Sequence, residues 1–118
     1  MSSTGENIEE LRSLFSNLLN YESDDPLAPI DPFLYKSPEG DTCLHIAALR
    51  GDCRAAALLM DGGIPVNSIG DMGNTPLHYA AAKGHQEIFD LLVLRGADKE
   101  IQNEFGKTAE SMRASKFE

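Results

Sequence analysis

The sequence predicts an all-α solenoid, in which short helix-turn-helix units stack against one another. The main observation is a repeat, because Thr42-Cys43-Leu44-His45 returns 33 residues later as Thr75-Pro76-Leu77-His78. When 38–70 is overlaid on 71–103 without a gap, ten positions are identical. A period of this length is typical of units that bury their apolar faces only against their neighbours. A second observation, an apolar stripe near the N-terminus, predicts a helix that covers one end of the stack.

The N-terminal region is predicted to span 1–37 and carries no repeat signature. We expect 1–6 to be disordered and a capping helix to run over about 7–21, with Asn7 as its N-cap. Its apolar residues recur at helical spacing along one face: Ile8, Leu11, Leu14, Phe15, Leu18 and Leu19. The acidic stretch that follows contains three prolines, which exclude a regular helix and predict an extended connection to the repeats.

The repeats are predicted over 38–118, and each full unit consists of a turn, two helices and a loop. In the second unit, 71–103, Thr75 caps a first helix that Gly84 ends, and a second helix runs over about 86–94. The second helix is expected to bury apolar residues at i, i+3 and i+4 spacing: Ile88, Leu91 and Leu92.

The first unit, 38–70, carries the same signals, which predict helices over 43–49 and 53–60. A partial third unit, 104–116, has a terminal helix predicted over about 108–114. Polar side chains stand there at positions where the full units have buried ones. A polar outer face is what the last unit of an array needs to stay in solution, so we interpret this segment as a C-terminal half-repeat.

A pattern in the second unit identifies a family. The string Gly-x-Thr-Pro-Leu-His-x-Ala-Ala-x-x-Gly-His over 73–85, followed by Arg95-Gly96-Ala97-Asp98, resembles the ankyrin repeat. The resemblance covers 38–103 as two full repeats. It implies stacked helical pairs whose loop tips and first helices form a concave face that binds other proteins without catalysis. Two departures from the family pattern, Pro65 and Gly70, predict an irregular loop between the two repeats.

The resemblance also implies which residues bind a partner, since the variable positions of that concave face can be located in this chain. These positions are Glu39, Asp41, Leu49, Arg50, Asp71, Met72, Asn74, Tyr79, Lys83, Phe105 and Lys107. Met72, Tyr79 and Phe105 are the strongest candidates, because methionine and aromatic side chains are enriched in interfaces. The alternative for Tyr79 and Met72 is packing within the fold, and for Phe105 it is burial under the terminal helix.

Charge limits the class of partner. The formal net charge is −9, and residues 1–41 hold nine acidic side chains against two basic ones. Nucleic-acid binding is not expected, because it requires clustered Lys and Arg, whereas a basic protein partner would be attracted. Two hypotheses follow. The chain is either an adaptor that positions one protein partner, or a small acidic inhibitor, for instance an immunity protein that occludes the active site of a basic toxin or nuclease.

Catalysis and metal binding are not expected. The sequence contains no Gly-x-Ser-x-Gly elbow and no phosphate-binding loop. A metal site built from the three histidines with Cys43 and Cys53 is an alternative, but their spacing supplies one short pair, Cys43 and His45, whereas zinc sites commonly combine close-spaced pairs into four ligands. Cys53 belongs to the next predicted helix. In the ankyrin family the positions of His45 and His78 hydrogen-bond the adjoining turn, and we expect that role here.

The remaining expectations concern the surroundings of the chain. No apolar run approaches the roughly 18 residues that a membrane-spanning helix needs, and the N-terminus lacks the pattern of a secretory signal. Only two cysteines are present, which is typical of proteins from reducing compartments. We therefore expect a cytoplasmic monomer that holds no cofactor.

Overall fold

The structure, a computed structural model, describes residues 4–18, 20, 24–25, 27–28 and 30–113, and its regular elements in these ranges are helices. The α-helices in these ranges are α1 (Thr4–Leu14), α2 (Cys43–Arg50), α3 (Cys53–Asp61), α4 (Pro76–Lys83), α5 (Gln86–Leu94) and α6 (Ala109–Arg113), and a short 3-10 helix covers Asp71–Gly73. No β-strand occurs in these ranges, and an isolated antiparallel bridge joins Lys36 to Thr42. The predicted all-α fold is confirmed.

The six α-helices lie in two layers. The inner layer consists of α2, α4 and α6, with α2 packed on α4 and α4 packed on α6. The outer layer consists of α1, α3 and α5, with α1 packed on α3 and α3 packed on α5. The pairs α2–α3 and α4–α5 join the layers and form the two full repeats. The chain thus has an outer helix before the first full repeat and an inner helix after the second one.

The first helix of each full repeat begins at a threonine that caps it. Thr42 accepts a hydrogen bond from the backbone N–H of His45, whose ring accepts one from the backbone N–H of Thr42 in return. Thr75 and His78 repeat this arrangement at the start of α4. The reciprocal bonds satisfy N–H groups that a helix start leaves without an intrahelical partner. Both helices end at a glycine in the left-handed region, as at Gly51 with φ of 75°.

Leucine, isoleucine and alanine side chains form the core between the layers. Those that are almost completely buried include Leu44, Ala47, Ala48, Ala55, Ala56, Leu59, Leu77, Ala80, Ala81, Ile88 and Leu92. The alanines allow close approach of neighbouring helices, whose axes usually lie about 8–10 Å apart. Leu91 is only partly buried, in contrast to the prediction. Consecutive helical residues point about 100° apart, so the burial of Leu92 does not require that Leu91 is buried as well.

The N-terminal helix has different bounds from those predicted. It begins at Thr4, before the expected cap at Asn7, so the expected disorder over 1–6 does not extend to 4–6. It ends at Leu14, and only a turn continues over 15–17. The reason for this end lies far away in the sequence.

The carbonyl of Leu14 accepts a hydrogen bond of 2.7 Å from the guanidinium of Arg50. The backbone N–H of Leu18, which would bond that carbonyl in a continued helix, donates instead to the carbonyl of Phe15. The last predicted apolar position, Leu19, and the predicted end at residue 21 lie outside the described residues.

The apolar stripe of α1 packs against the first repeat, as expected. Leu11 and Phe15 are buried. Glu10 forms an ion pair with Arg54 of α3, and the guanidinium of Arg50 lies 5.0 Å from the centre of the Phe15 ring. These contacts fit a capping helix, while the division of the chain into a region 1–37 and a repeat region stays a prediction.

The described part of the connection forms turns and is not extended. The backbone N–H of Leu27 donates to the carboxylate of Asp25 (3.0 Å), and the backbone N–H of Phe33 donates to the carboxylate of Asp31 (2.9 Å). Aspartate favours such turns because its short side chain can bond the backbone two residues further on. The expectation of an extended connection is therefore wrong at these two positions.

The terminal helix begins one residue later than predicted, since α6 covers Ala109–Arg113 of the described residues. Thr108 precedes it, and its hydroxyl accepts a hydrogen bond of 3.2 Å from the backbone N–H of Ser111. This bond is typical of an N-cap, which lies outside the helix that it begins. Residue 114, the predicted end, lies outside the described residues.

Candidate partner-binding surface

Three hairpin turns project from the N-terminal ends of the inner helices. Their residues are 37–41, 70–74 and 103–107, spaced by one repeat. In each, the backbone N–H of the first residue donates to the carbonyl of the fifth, at 2.8 Å, 2.8 Å and 2.9 Å. We call the row formed by their outermost residues the tip edge. It is defined by Glu39, Asp71, Met72, Glu104 and Phe105.

The histidines hold successive hairpins to one another. The backbone N–H of Thr42 donates to Nδ1 of His45, so Nε2 carries the proton and donates to the carbonyl of Asn74 at 3.0 Å. His78 makes the same bond to the carbonyl of Lys107 at 2.9 Å. The expected hydrogen bond to the adjoining turn is confirmed at both positions.

Burial lowers the pKa of the His45 imidazole, which keeps the ring in the neutral form that these hydrogen bonds require. The third histidine, His85, has Nε2 at 3.1 Å from the carbonyl oxygen of Leu49. Within the described ranges, no group of three or more His, Cys, Asp or Glu side chains could hold a metal ion.

Asp41 and Tyr79 contact each other across the first junction between hairpins. The Tyr79 hydroxyl donates to both carboxylate oxygens of Asp41, at 3.0 Å and 3.1 Å, and the backbone N–H of Asp71 donates to the same carboxylate at 2.9 Å. The Tyr79 ring also meets the His45 ring edge-on, with 5.5 Å between centres. Burial, together with the adjacent Asp41 carboxylate, raises the pKa of the Tyr79 phenol. These contacts match the packing alternative considered for Tyr79.

Gly70 lies directly under this bridge. A Cβ atom at Gly70 would overlap the carboxylate of Asp41 and crowd Nε2 of His45. The departure from the family pattern at Gly70 therefore has a steric reason, because the first junction has no room for a side chain at that position.

The second junction uses amide groups in place of the carboxylate and the phenol. The side-chain N–H of Asn103 donates to the side-chain oxygen of Asn74 at 2.9 Å. The side-chain oxygen of Asn103 accepts hydrogen bonds from the backbone N–H groups of Phe105 (2.9 Å) and Lys107 (3.0 Å). Asn103 is buried, and the sequence analysis did not select it. Its signal is an asparagine three residues before a glycine, a spacing typical of turns.

Met72 and Phe105 are exposed at equivalent positions of neighbouring hairpins. Met72 is 50% exposed and Phe105 is 65% exposed. Phe105 is therefore not buried under the terminal helix, the alternative considered for it. The backbone N–H of Glu104 donates to the carbonyl of Met72 at 3.0 Å, which joins the two tips directly. Glu39 occupies the equivalent position on the first hairpin and is also exposed.

The inner helices contribute Leu49, Arg50 and Lys83, all exposed, beside the tip edge. Arg50 is already engaged within the fold, since it donates to the Leu14 carbonyl and to the side-chain oxygen of Asn17 (2.9 Å). Leu49 and Lys83 make no comparable contact to the N-terminal segment among the bonds described.

The hairpins carry more negative than positive charge. Carboxylates stand at Glu39, Asp41, Asp71 and Glu104, and the hairpins contain one lysine, Lys107. Because the Asp41 carboxylate binds Tyr79 and the Asp71 backbone, the carboxylates left on the tip edge are those of Glu39, Asp71 and Glu104.

Stacked helical pairs with a hairpin between successive units define a class of repeat protein built around an extended surface. The family described as ankyrin repeats, in three copies, matches residues 6–103. The chain belongs to the ankyrin-repeat family, whose members generally serve as protein-interaction domains without catalytic activity. The matched region includes the N-terminal helix, which carries no repeat signature that the sequence analysis could detect.

Several known proteins are similar to part of the chain. The chain is 41% identical over 69 residues to a transient receptor potential cation channel subfamily A member 1 homolog of Caenorhabditis elegans, which covers 58% of this chain and 6% of that protein. It is 43% identical over 65 residues to the E3 ubiquitin-protein ligase XBAT32 of Arabidopsis thaliana, and this match covers 53% of this chain and 13% of that protein. It is 35% identical over 69 residues to human protein phosphatase 1 regulatory subunit 27, and this match covers 58% of this chain and 45% of that protein.

The chain thus spans less than half the length of each of these relatives. The similarity concerns the repeats that they share. Within the described part of the chain, none of the helices combines the length and the apolar composition needed to cross a bilayer.

Proposed function

We propose that this chain binds a protein partner through the tip edge and the neighbouring face of the inner helices. The observation that carries the proposal is the exposure of Met72 and Phe105 at equivalent positions, while most apolar residues of the inner helices are buried. Large exposed apolar side chains that stand together are typical of interaction sites. Leu49 and Lys83 extend the same surface onto the inner helices.

The rigidity of the hairpins supports the same function. His45 and His78 tie each hairpin to the next through backbone carbonyls, at 3.0 Å and 2.9 Å. A surface that is ordered before binding loses little conformational entropy when a partner docks. A few exposed side chains can then supply most of the affinity.

The relatives are compatible with this proposal. Human protein phosphatase 1 regulatory subunit 27 and the mouse protein phosphatase 1 regulatory subunit 12A are both named as regulatory subunits, that is, as parts of an assembly. We propose a role of the same general kind, as a binding module or adaptor, with the partner left open.

The test compares capture of proteins from a lysate of the native host by three forms of the chain. We expect the wild type and the control variant Leu94→Ala to retain the same specific partner, and the double variant Met72→Ala/Phe105→Ala to lose it. Leu94 is a suitable control because it is 81% exposed but lies on the outer helix α5. Equal capture by all three forms would show that the tip edge is not the binding surface.

The acidic side chains of the hairpins favour a second candidate function, inhibition of a basic toxin or nuclease. An inhibitor of this kind would present carboxylates to a cleft that is basic because its substrate is anionic. Its binding should weaken steeply with salt, since exposed charges are screened. Binding that does not respond to salt would exclude the inhibitor and leave the adaptor.

We further propose that the chain works as a monomer in a reducing compartment such as the cytoplasm. Both cysteines carry free thiols, with Cys43 buried and Cys53 partly exposed. Burial raises the pKa of the Cys43 thiol to about 12 and also raises that of Cys53. Thiols that stay protonated at neutral pH are poor nucleophiles, which fits a structural role for both side chains.

A further inference from the structure

We infer that the partner segment recognised by the tip edge is basic and carries two large apolar side chains on one face. This inference rests on the proposed function and adds the chemistry of the partner to it. Three features of the hairpins lead to it: the spacing of the two apolar side chains, the carboxylates around them and the backbone conformation of Met72.

The spacing follows from one backbone hydrogen bond. The carbonyl of Met72 accepts the N–H of Glu104 at 3.0 Å, and Phe105 is the next residue. Standard backbone dimensions then place the Cα atoms of Met72 and Phe105 within about 10 Å of each other. Two side chains at this distance can contact one short segment at the same time.

A short segment can match that distance with neighbouring side chains of one face. Alternate residues of an extended strand lie about 6–7 Å apart on the same side, and residues three apart in a polyproline II segment lie about 9 Å apart. The partner therefore needs two large apolar residues two or three positions apart. A second copy of this chain does not fit, because its net charge of −9 and its own acidic tip edge would be repelled by the carboxylates of the first copy.

A carboxylate adjoins each member of the apolar pair in the sequence. Asp71 immediately precedes Met72, Glu104 immediately precedes Phe105, and Glu39 occupies the equivalent tip of the first hairpin. The one cationic side chain of the hairpins is Lys107. A segment with Lys or Arg beside its apolar residues would therefore meet opposite charge along the edge, and the net charge of −9 would steer its approach.

The backbone of Met72 provides independent support. Met72 has φ of 57°, which makes it the one non-glycine residue in the left-handed region among those described. The equivalent residues Glu39 and Phe105 do not share this conformation. Glycine and asparagine occupy the left-handed region at lower cost than methionine. A large apolar side chain kept there, half exposed, is better explained by contact with a partner than by the stability of the hairpin.

The experiment selects random 12-residue peptides displayed on phage against the full chain, with counter-selection on Met72→Ser/Phe105→Ser. Enriched peptides are synthesised, and their dissociation constants are measured by fluorescence anisotropy at low and high salt. The variants are Met72→Ala/Phe105→Ala, the charge-neutralised Glu39→Gln/Asp71→Asn/Glu104→Gln and the control Leu94→Ala. A thermal melt of each variant first establishes that it is folded.

We expect enriched peptides to carry a net positive charge and two large apolar residues two or three positions apart. Their affinity should fall by about tenfold or more in the Met72/Phe105 variant, as at interface hot spots. It should also fall in the charge-neutralised variant, with a flatter response to salt, and stay within about twofold in Leu94→Ala.

Two results would contradict the inference, and they differ in whether they also contradict the proposed function. Peptides that require Met72 and Phe105 but are neutral or acidic, and insensitive to salt, contradict the basic partner and leave the proposed function intact. An absence of enriched peptides, or peptides that bind the Met72/Phe105 variant equally well, contradicts both the inference and the tip edge as a binding surface.

Discussion

The two junctions hold successive hairpins together with the same kind of backbone contact but with different side-chain contacts. Both use a buried histidine that donates to a carbonyl of the next hairpin, His45 to Asn74 and His78 to Lys107. The first junction adds a carboxylate that binds a phenol, and the second adds an amide that binds another amide, from Asn103. The contacts to the backbone are therefore repeated, whereas the contacts between side chains vary from one junction to the next.

The replacements at equivalent positions are matched to one another. The position of Asp41 is taken by Asn74 in the next repeat, and the position of Gly70 is taken by Asn103. The Asp41 carboxylate leaves no room for a side chain at Gly70, whereas the Asn74 amide needs the Asn103 side chain as its partner. A substitution at one position of a junction therefore has to be judged together with its partner.

The residues that precede the hairpins are also matched between the two junctions, as hydrogen-bond donors and acceptors. In the second junction the side-chain oxygen of Asn67 accepts the backbone N–H of Asp98 at 2.9 Å. The equivalent positions in the first junction are Leu34, which has no acceptor, and Pro65, which has no N–H. An apolar cavity of about 250 Å³ lies between them, open to solvent. Donor and acceptor are thus absent together at the first junction.

The largest expected effect tests whether the two full repeats have equivalent cores, although the side-chain hydrogen bonds at the two junctions between hairpins differ. Leu59→Ala and Leu92→Ala, at matching and completely buried positions, should each lower the free energy of unfolding by about 2–5 kcal/mol. The neighbouring variants Leu58→Ala and Leu91→Ala remove partly buried side chains and should cost less. Urea denaturation measures all four, and an equal loss at Leu91 and Leu92 would contradict the difference in burial.

The next effect compares the two side-chain bridges directly by double-mutant cycles. The cycle of Asp41→Ala with Tyr79→Phe should give a coupling energy of about 1 kcal/mol, because hydrogen bonds to charged groups are the stronger class. The cycle of Asn74→Ala with Asn103→Ala should give roughly half of that. The couplings are obtained from urea denaturation of the single and double variants. A larger coupling at the second junction would reverse our ranking of the bridges.

A smaller effect concerns the tip of the middle hairpin. Met72→Asn should raise the free energy of unfolding by up to about 1 kcal/mol, since asparagine tolerates the left-handed conformation better than methionine. Phe105→Asn serves as the matched control, because Phe105 does not have a positive φ and should gain nothing. Thermal melts of both variants provide the measurement. If Met72→Asn is no more stable than the wild type, the strain at Met72 is absent in solution.

The smallest effect is a dependence of stability on pH that comes from the first junction. Burial lowers the pKa of His45 in the folded chain, although the Asp41 carboxylate and hydrogen bonds to backbone carbonyls oppose this change. The unfolded chain therefore binds more protons below the ordinary histidine pKa of about 6.5, and stability should fall as the pH decreases from 7 toward 5.5.

The control for this effect is His45→Gln, which should flatten the decrease without removing it entirely, because other groups also titrate. Denaturation curves at several pH values would supply the comparison. A wild type and a variant with parallel pH profiles would show that His45 does not contribute.

Local signals in the sequence were sufficient for the repeat helices. The prediction of 86–94 agrees with α5, and the prediction of 43–49 differs from α2 by one residue. α2 begins at the capping Thr42 and ends at Gly51, and α5 is followed, one residue after its cap at Arg95, by Gly96 with a positive φ. The effects of such residues depend on the adjacent residues alone. The N-terminal helix was predicted less well, because its end depends on Arg50, which reaches the Leu14 carbonyl only in the folded chain.

The candidate surface was predicted as a set of positions, but not the behaviour of each residue. Tyr79 and Phe105 are both aromatic residues at positions that the family leaves variable. The structure engages Tyr79 with Asp41, whereas it leaves Phe105 exposed. Arg50 likewise contacts the N-terminal segment. No local pattern distinguishes these cases, because each depends on which residue of another repeat lies nearby.

The amino-acid sequence by itself determined the period, because the motif recurs at a fixed interval, and the helices of the two full repeats, because these follow from caps, glycines and apolar spacing. The resemblance of the motif to the ankyrin repeat supplied the family and the expectation of a row of hairpins. Only the tertiary structure decided which polar side chains join the repeats and which remain available to a partner. The physical reason is that a hydrogen bond such as that of Tyr79 to Asp41 joins residues 38 positions apart, and its donor and acceptor meet only when the repeats are stacked.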